Sequence, residues 1–120
     1  MPYADIDFFL AIGKKEDWLK EGALALLEQY KNKIEYSEAT FVELMLVSVK
    51  HKLDPVIITQ SAMEICRMSN QIYLKAAFYI SAGIGVLDAF HAAHVDEGEI
   101  ISSDSVYDKL GLKRIRLEEQ

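Results

Sequence analysis

The stretch ADIDFFLA, residues 4–11, decides how the chain is read. Asp5 and Asp7 stand at the edge of an otherwise apolar run. A carboxylate is costly to bury unless it is paired, hydrogen-bonded or metal-bound. If the apolar residues belong to a buried strand, the acids have three competing uses. They are solvated loop residues, the nucleophile pair of a DxD phosphatase, or members of a metal-binding carboxylate cluster. What the rest of the chain brings to the same place decides among them.

Working outward, PYAD (2–5) reads as a very short buried strand and FFLAIG (8–13) as the turn and helix after it. KEDWLKEGALALLEQYK (15–31) carries Trp18, Ala23, Leu26, Leu27 and Tyr30 at helical spacing. IEYS (34–37) is a second short strand, with Ser37 placed as N-cap of a helix over 38–52 in which Phe41, Leu44, Met45 and Ser48 share a face. Asp54-Pro55 caps and starts the next helix, 56–68. QIYLKAAFYI (71–80) fits a helix or a strand and helix equally. GVLDAFHAAHV (85–95) is an apolar helix, EIISSD (99–104) a strand, SVYDKLG (105–111) a short helix and LKRIRL (112–117) a last strand. Short strands alternating with helices predict one α/β domain over residues 1–120, a three-layer α/β/α arrangement with a short-stranded parallel sheet covered on both faces. Sites in such sheets lie at the carboxyl ends of the strands.

The 120 residues carry a net charge of −6 and are 51% hydrophobic, enough for one core and a poor match to a general nucleic-acid binder. A phosphate-handling enzyme can still be acidic if bound metal neutralises its carboxylates. The single cysteine, Cys66, excludes an intrachain disulfide, and its surroundings (AMEICRM) suit a packed thiol rather than a nucleophile. With no signal-peptide pattern at its start, the chain is expected in a reducing cytoplasm. The longest apolar run, near AAFYISAGIGVL, is too short to cross a bilayer, so no membrane partner is expected.

Several acids fall where this organisation would aim them into one crevice. Asp5 follows the first strand, and Ser102 and Asp104 follow the strand at 99. Glu43 lies inside the helix after the second strand, and Asp88 lies among Leu87, Ala89 and Phe90. Each has a simple reading alone: Asp104 an N-cap, Glu43 a surface residue, Asp88 a helix-dipole acid, Asp5 a loop residue.

In order and context, YADIDFF, SEATFVELML, GVLDAFHAAHV and ISSDSVYDKLGLKRI resemble the four acidic motifs of PIN-domain nucleases, over nearly the whole chain. The resemblance implies a PIN-like fold and a metal-dependent endoribonuclease. Its metal-binding and catalytic acids would be Asp5, Glu43, Asp88 and Asp104, with the Ser102 hydroxyl organising them. It also implies an RNA substrate, and many family members are the toxin half of a toxin–antitoxin pair. A homodimer is implied as well, with FFLAIG and Trp18 as its candidate surface. Ile6 and Asp7 stand where the family commonly has Thr or Ser and Asn, which leaves Asp7 a supporting acid or an extra ligand. Asp108 is a candidate accessory acid or a solvated helix residue. Carboxylates held together repel one another unless a cation joins them, and oxygen-only ligands select Mg²⁺ or Mn²⁺.

Other readings compete. A DxD phosphatase would use Asp5 and Asp7 but wants a cap segment and a late acid pair, which ISSDSVYD matches poorly. Asp88, His91 and His94 recur at threes, but that spacing drifts around a helix and supplies too few ligands for a metal site. A non-catalytic interaction module that kept the fold is a third class. Phosphate contacts would come from Lys14 and Lys15, from Lys50, His51 and Lys52, or from Lys109, Lys113, Arg114 and Arg116. Helix C-terminal solvation explains Lys50 and Lys52 as well.

Overall fold

The computed structural model describes every residue except Asp96. Helices α1 (Ile6–Gly13), α2 (Lys20–Gln29), α3 (Glu38–Lys50), α4 (Pro55–Cys66), α5 (Ile72–Ser81) and α6 (Val86–Val95) precede a C-terminal unit of β1 (Glu99–Ser102), α7 (Val106–Lys109) and β2 (Lys113–Arg116). A 3₁₀ turn, Leu117–Glu119, closes it.

The core is helical. Phe9 and Leu10 of α1 meet Phe41, Leu44 and Met45 of α3, Ile58 and Ala62 of α4, Ala76, Ala77 and Ile80 of α5, and Ala89, Phe90 and Ala93 of α6. Alanines on facing sides of α5 and α6 let those helices approach closely. The rings of Tyr36, Phe41, Tyr73 and Phe90 run in sequence across α3, α5 and α6, with Phe41 and Tyr73 stacked at 4.3 Å. Buried Ser48 donates back to Leu44 O at 2.8 Å, and the Thr59 hydroxyl reaches Met45 Sδ at 3.3 Å, so neither polar group is stranded.

The three-layer α/β/α sheet is overturned. Among the described residues the one sheet is β1 paired with β2, parallel, Glu99 opposite Lys113. The expected strands at 2–5 and 34–37 shrink to a single parallel bridge, Tyr3 to Glu35, held by Ala4 N–H to Glu35 O (3.0 Å) and Glu35 N–H to Pro2 O (2.8 Å). The reason is local. Asp5 caps α1, its carboxylate accepting the Asp7 N–H at 3.3 Å, so the backbone turns helical at Ile6 before a strand can lengthen. Ser37 ends the second piece in the same way, its N–H donating to Thr40 Oγ1 at 3.2 Å as α3 begins.

Other boundaries also moved. The helix expected from residue 15 begins at Lys20, because Asp17 accepts the Leu19 N–H at 2.9 Å and makes a turn there. That leaves Trp18 outside the helix and 89% exposed instead of on its apolar face. The ambiguous stretch at 71–80 is helix α5. Asp54 caps α4 through the Val56 and Ile57 N–H groups with Pro55 in the first turn, and Phe41, Leu44, Met45 and Ser48 are all buried, as the pattern predicts.

The molecule is long, 54 × 28 × 17 Å, with a radius of gyration of 16.2 Å against about 14 Å for a compact chain of this length. No helix among the described residues is long and apolar enough to cross a membrane.

Candidate functional site

Two of the candidate acids, Asp5 and Glu43, act by their charge on Tyr3, and two, Asp88 and Asp104, on Tyr107. Tyr3 precedes Asp5 by two positions, and the charges of Asp5 and Glu43 both act on its phenol. The bridge to Glu35 sets Tyr3 beside the start of α3, where its hydroxyl shares hydrogen bonds with Ser37 Oγ (2.7 Å) and Thr40 Oγ1 (3.2 Å). The bond to Ser37 holds the Tyr3 phenol below its ordinary value, while the two acids oppose that shift. Asp5, Asp7 and Glu43 are exposed.

The second pair, Asp88 and Asp104, acts on Tyr107. Asp88 is half-buried in the first turn of α6, and Tyr107, 4% exposed, donates its hydroxyl to Asp88 Oδ1 at 3.3 Å. Burial raises the Tyr107 phenol, and the charges of Asp88 and Asp104 add to the rise. Ser102 Oγ accepts the Asp104 N–H at 3.0 Å, and Asp104 Oδ1 accepts the Val106 N–H at 2.9 Å. Ser102 therefore fixes the backbone of Asp104, and Asp104 caps the turn that carries Tyr107.

Arg114 binds this turn to β2. Its guanidinium donates Nε to Asp108 Oδ1 (3.0 Å), Nη2 to Asp108 Oδ2 (2.8 Å), and Nη1 both to Ser102 O (2.9 Å) and to Glu118 Oε1 (2.9 Å). Asp108 is thus engaged by a forked ion pair that holds its carboxyl below the usual range. Arg114 and Arg116, expected as phosphate contacts, are paired with acids, Arg116 with Glu119 at 3.2 Å. His94 Nε2 lies 3.1 Å from Glu38 Oε1, joining α6 to α3. His91 is exposed, and Cys66 is half-buried, its thiol pushed up to about 11 by burial. That places it with packed thiols rather than nucleophiles.

Among the described residues, no group of three or more His, Cys, Asp or Glu is placed to hold a metal ion. The four candidate acids therefore do not form one such cluster. Mg²⁺ commonly takes one or two protein carboxylates, with phosphate and water completing its shell, and Asp5, Glu43, Asp88 and Asp104 are donors of that type. The donor set does not suit Zn²⁺, which takes nitrogen and sulfur.

Sequence reasoning missed both tyrosines. Tyr3 had a signal, since residues i and i+2 of an extended segment share a side. Tyr107 had one in Asp104, an acid placed to cap the start of the short helix that carries the tyrosine. Comparison with protein-family models, with curated proteins and with solved structures finds no match for this chain.

Proposed function

We propose that this chain is a metal-dependent endoribonuclease in which the pairs Asp5/Glu43 and Asp88/Asp104 hold Mg²⁺ or Mn²⁺ against an RNA phosphodiester. What supports the reading is the order of the four acidic motifs in the chain, together with the charges of Asp5 and Glu43 acting on Tyr3 and those of Asp88 and Asp104 acting on Tyr107. When bound, the ion supplies neutralisation of the carboxylates, polarisation of a phosphoryl oxygen and activation of water. The chain's own part is positional. Ser102 holds the Asp104 backbone, and Tyr107 holds Asp88 with a phenol that burial keeps protonated. The Tyr3 ring is exposed, and its hydroxyl is shared with Ser37 and Thr40 at the start of α3. A toxin role, with an antitoxin as protein partner, belongs to the same proposal. Incubating pure protein with single-stranded RNA tests it: cleavage requires Mg²⁺ or Mn²⁺ and stops with EDTA.

A second reading, a non-catalytic binding module, has its own observation. An apolar cleft of about 320 Å³ lies between the first residues, α1 and α2, lined by Tyr3, Phe8, Leu26, Tyr30 and Ile34 and edged by Asp5 and Asp7. A module of this kind binds a partner there and leaves RNA intact under every metal condition.

A further inference from the structure

Asp5 lies at the start of α1 and Glu43 in the first half of α3, and a different chemistry lies at their far ends. The parallel bridge between Tyr3 and Glu35 starts both helices from the same side. Asp5 caps α1 at its beginning, and Lys14 caps it at its end, about 12 Å away along the helix. Glu43 lies in the first half of α3, and Lys50 ends it, about 10 Å further on. The two far ends meet: Lys14, Lys15 and Glu16 share a surface depression with Leu53 and Asp54, directly after His51 and Lys52. Lys14 and Lys15 thus line the depression that Leu53 also lines, and Lys50, His51 and Lys52 directly precede Leu53 in a chain whose net charge is −6. Of the acids there, Asp17 lies 4.0 Å from Lys14 Nζ and gives its carboxylate to the Leu19 N–H, and Asp54 caps α4.

Helix C-termini attract cations on their own account. The exposed tryptophan does not follow from that. Trp18 is the only tryptophan of the chain and is 89% exposed, held in the turn that Asp17 makes before α2. A large flat ring left in water three residues after Lys15 in the chain joins a ring to cations, the combination that single-stranded nucleic acid uses. The ring stacks a base of any sequence and the cations track the phosphates.

We propose that Trp18 is a base-stacking platform for single-stranded RNA, with Lys14, Lys15, Lys50 and Lys52 holding the adjoining phosphates. The strand would run along α1 and α3 from this end toward Asp5 and Glu43. The inference rests on the nuclease reading for the use of the bound strand, but not for the binding itself. Two lysines from each helix end and one ring define the contact, and its specificity for unpaired strands comes from the need for a free base face.

The single tryptophan makes the test direct. A twelve-nucleotide oligouridine is titrated into the whole protein in EDTA, where no metal-dependent cutting occurs, and Trp18 emission is followed. Emission is expected to quench on saturation. By anisotropy of labelled oligouridine, Trp18→Ala is expected to bind roughly 5- to 150-fold more weakly, and Trp18→Tyr close to wild type. Replacing Lys14 and Lys15 by Ala should flatten the dependence of log affinity on log salt by roughly 0.7 per lost contact. Unchanged emission at saturation, or wild-type binding by Trp18→Ala, overturns the proposal. So does quenching by phosphatidylserine vesicles but not by RNA, which would assign the ring to a lipid surface. Emission that changes with protein concentration alone, assigning the ring to a contact between copies, overturns it too. Protein that quenches but never cuts RNA refutes the nuclease reading alone; protein that cuts without quenching refutes the platform alone.

Discussion

Tyr3 and Tyr107 each feel the charge of two candidate acids, yet their surroundings differ at every point. Tyr3 is 57% exposed and bonds to hydroxyls, and Ser37 holds its phenol below the ordinary value. Tyr107 is 4% exposed and bonds to a carboxylate, and burial raises its phenol. The N-terminal pair is open, with both acids in solvent. The C-terminal pair is braced: Tyr107 holds Asp88, Ser102 holds Asp104, and Arg114 ties Ser102 and Asp108 to β2. The difference is one of bracing: the acids near Tyr3 stand in solvent, while those near Tyr107 sit in a turn held by hydrogen bonds and ion pairs.

The largest effect that sharpens this contrast is on packing. Tyr107→Ala empties a buried site and should destabilise the fold by about 3–5 kcal/mol. Tyr3→Ala should leave the melting temperature nearly unchanged while lowering RNA cleavage. Thermal melts of both variants check it, and equal losses would break the contrast. Tyr107→Phe keeps the ring and removes only the hydroxyl, for about 1 kcal/mol.

A smaller effect concerns charge. Asp88→Asn keeps an oxygen to accept from Tyr107 and removes one of two like charges. Melting in EDTA near neutral pH should rise, by on the order of 0.5 kcal/mol, and the gain on adding Mn²⁺ should shrink. A variant less stable in EDTA that still cuts RNA would make Asp88 part of the scaffold.

The smallest expected effect appears in acid. The Asp108 carboxyl is held below its ordinary value of 3.8 by Arg114. A depressed carboxyl contributes stability that is complete above the unfolded value and is lost as pH falls through the folded one. Stability of the wild type should therefore fall below pH 3.8 more steeply than that of Arg114→Gln, which lacks the pair. Parallel acid melts of the two proteins measure the difference, and identical slopes would show that the brace contributes nothing.

What the sequence made legible was local. The Asp54-Pro55 start of α4, the buried face of α3 and the strands at 99 and 113 follow from caps and periodicity within a few residues. The sheet was misread because strand pairing is decided elsewhere in the chain. Asp5 and Ser37 divert their segments into helices after one bridge, and no local pattern reports how far a strand will extend. Trp18 was misplaced for a related reason, since its spacing fitted a helix that the Asp17 turn delays. The acids were visible one by one, and motif order suggested that they act together. That Asp5 and Glu43 act on Tyr3, and Asp88 and Asp104 on Tyr107, depends on tertiary placement that sequence order alone does not report.

The central claim is that both pairs serve one reaction. The direct measurement is cleavage of single-stranded RNA by wild type, Asp5→Asn and Asp88→Asn, each with Mn²⁺ and with EDTA. Outer-shell partners of metal sites cost 10–100-fold, so removal of a ligand should cost at least about 100-fold. Wild type should cut only with Mn²⁺, and each variant should lose at least that factor while remaining folded. Cleavage that survives EDTA, or that persists in either variant, would contradict the account.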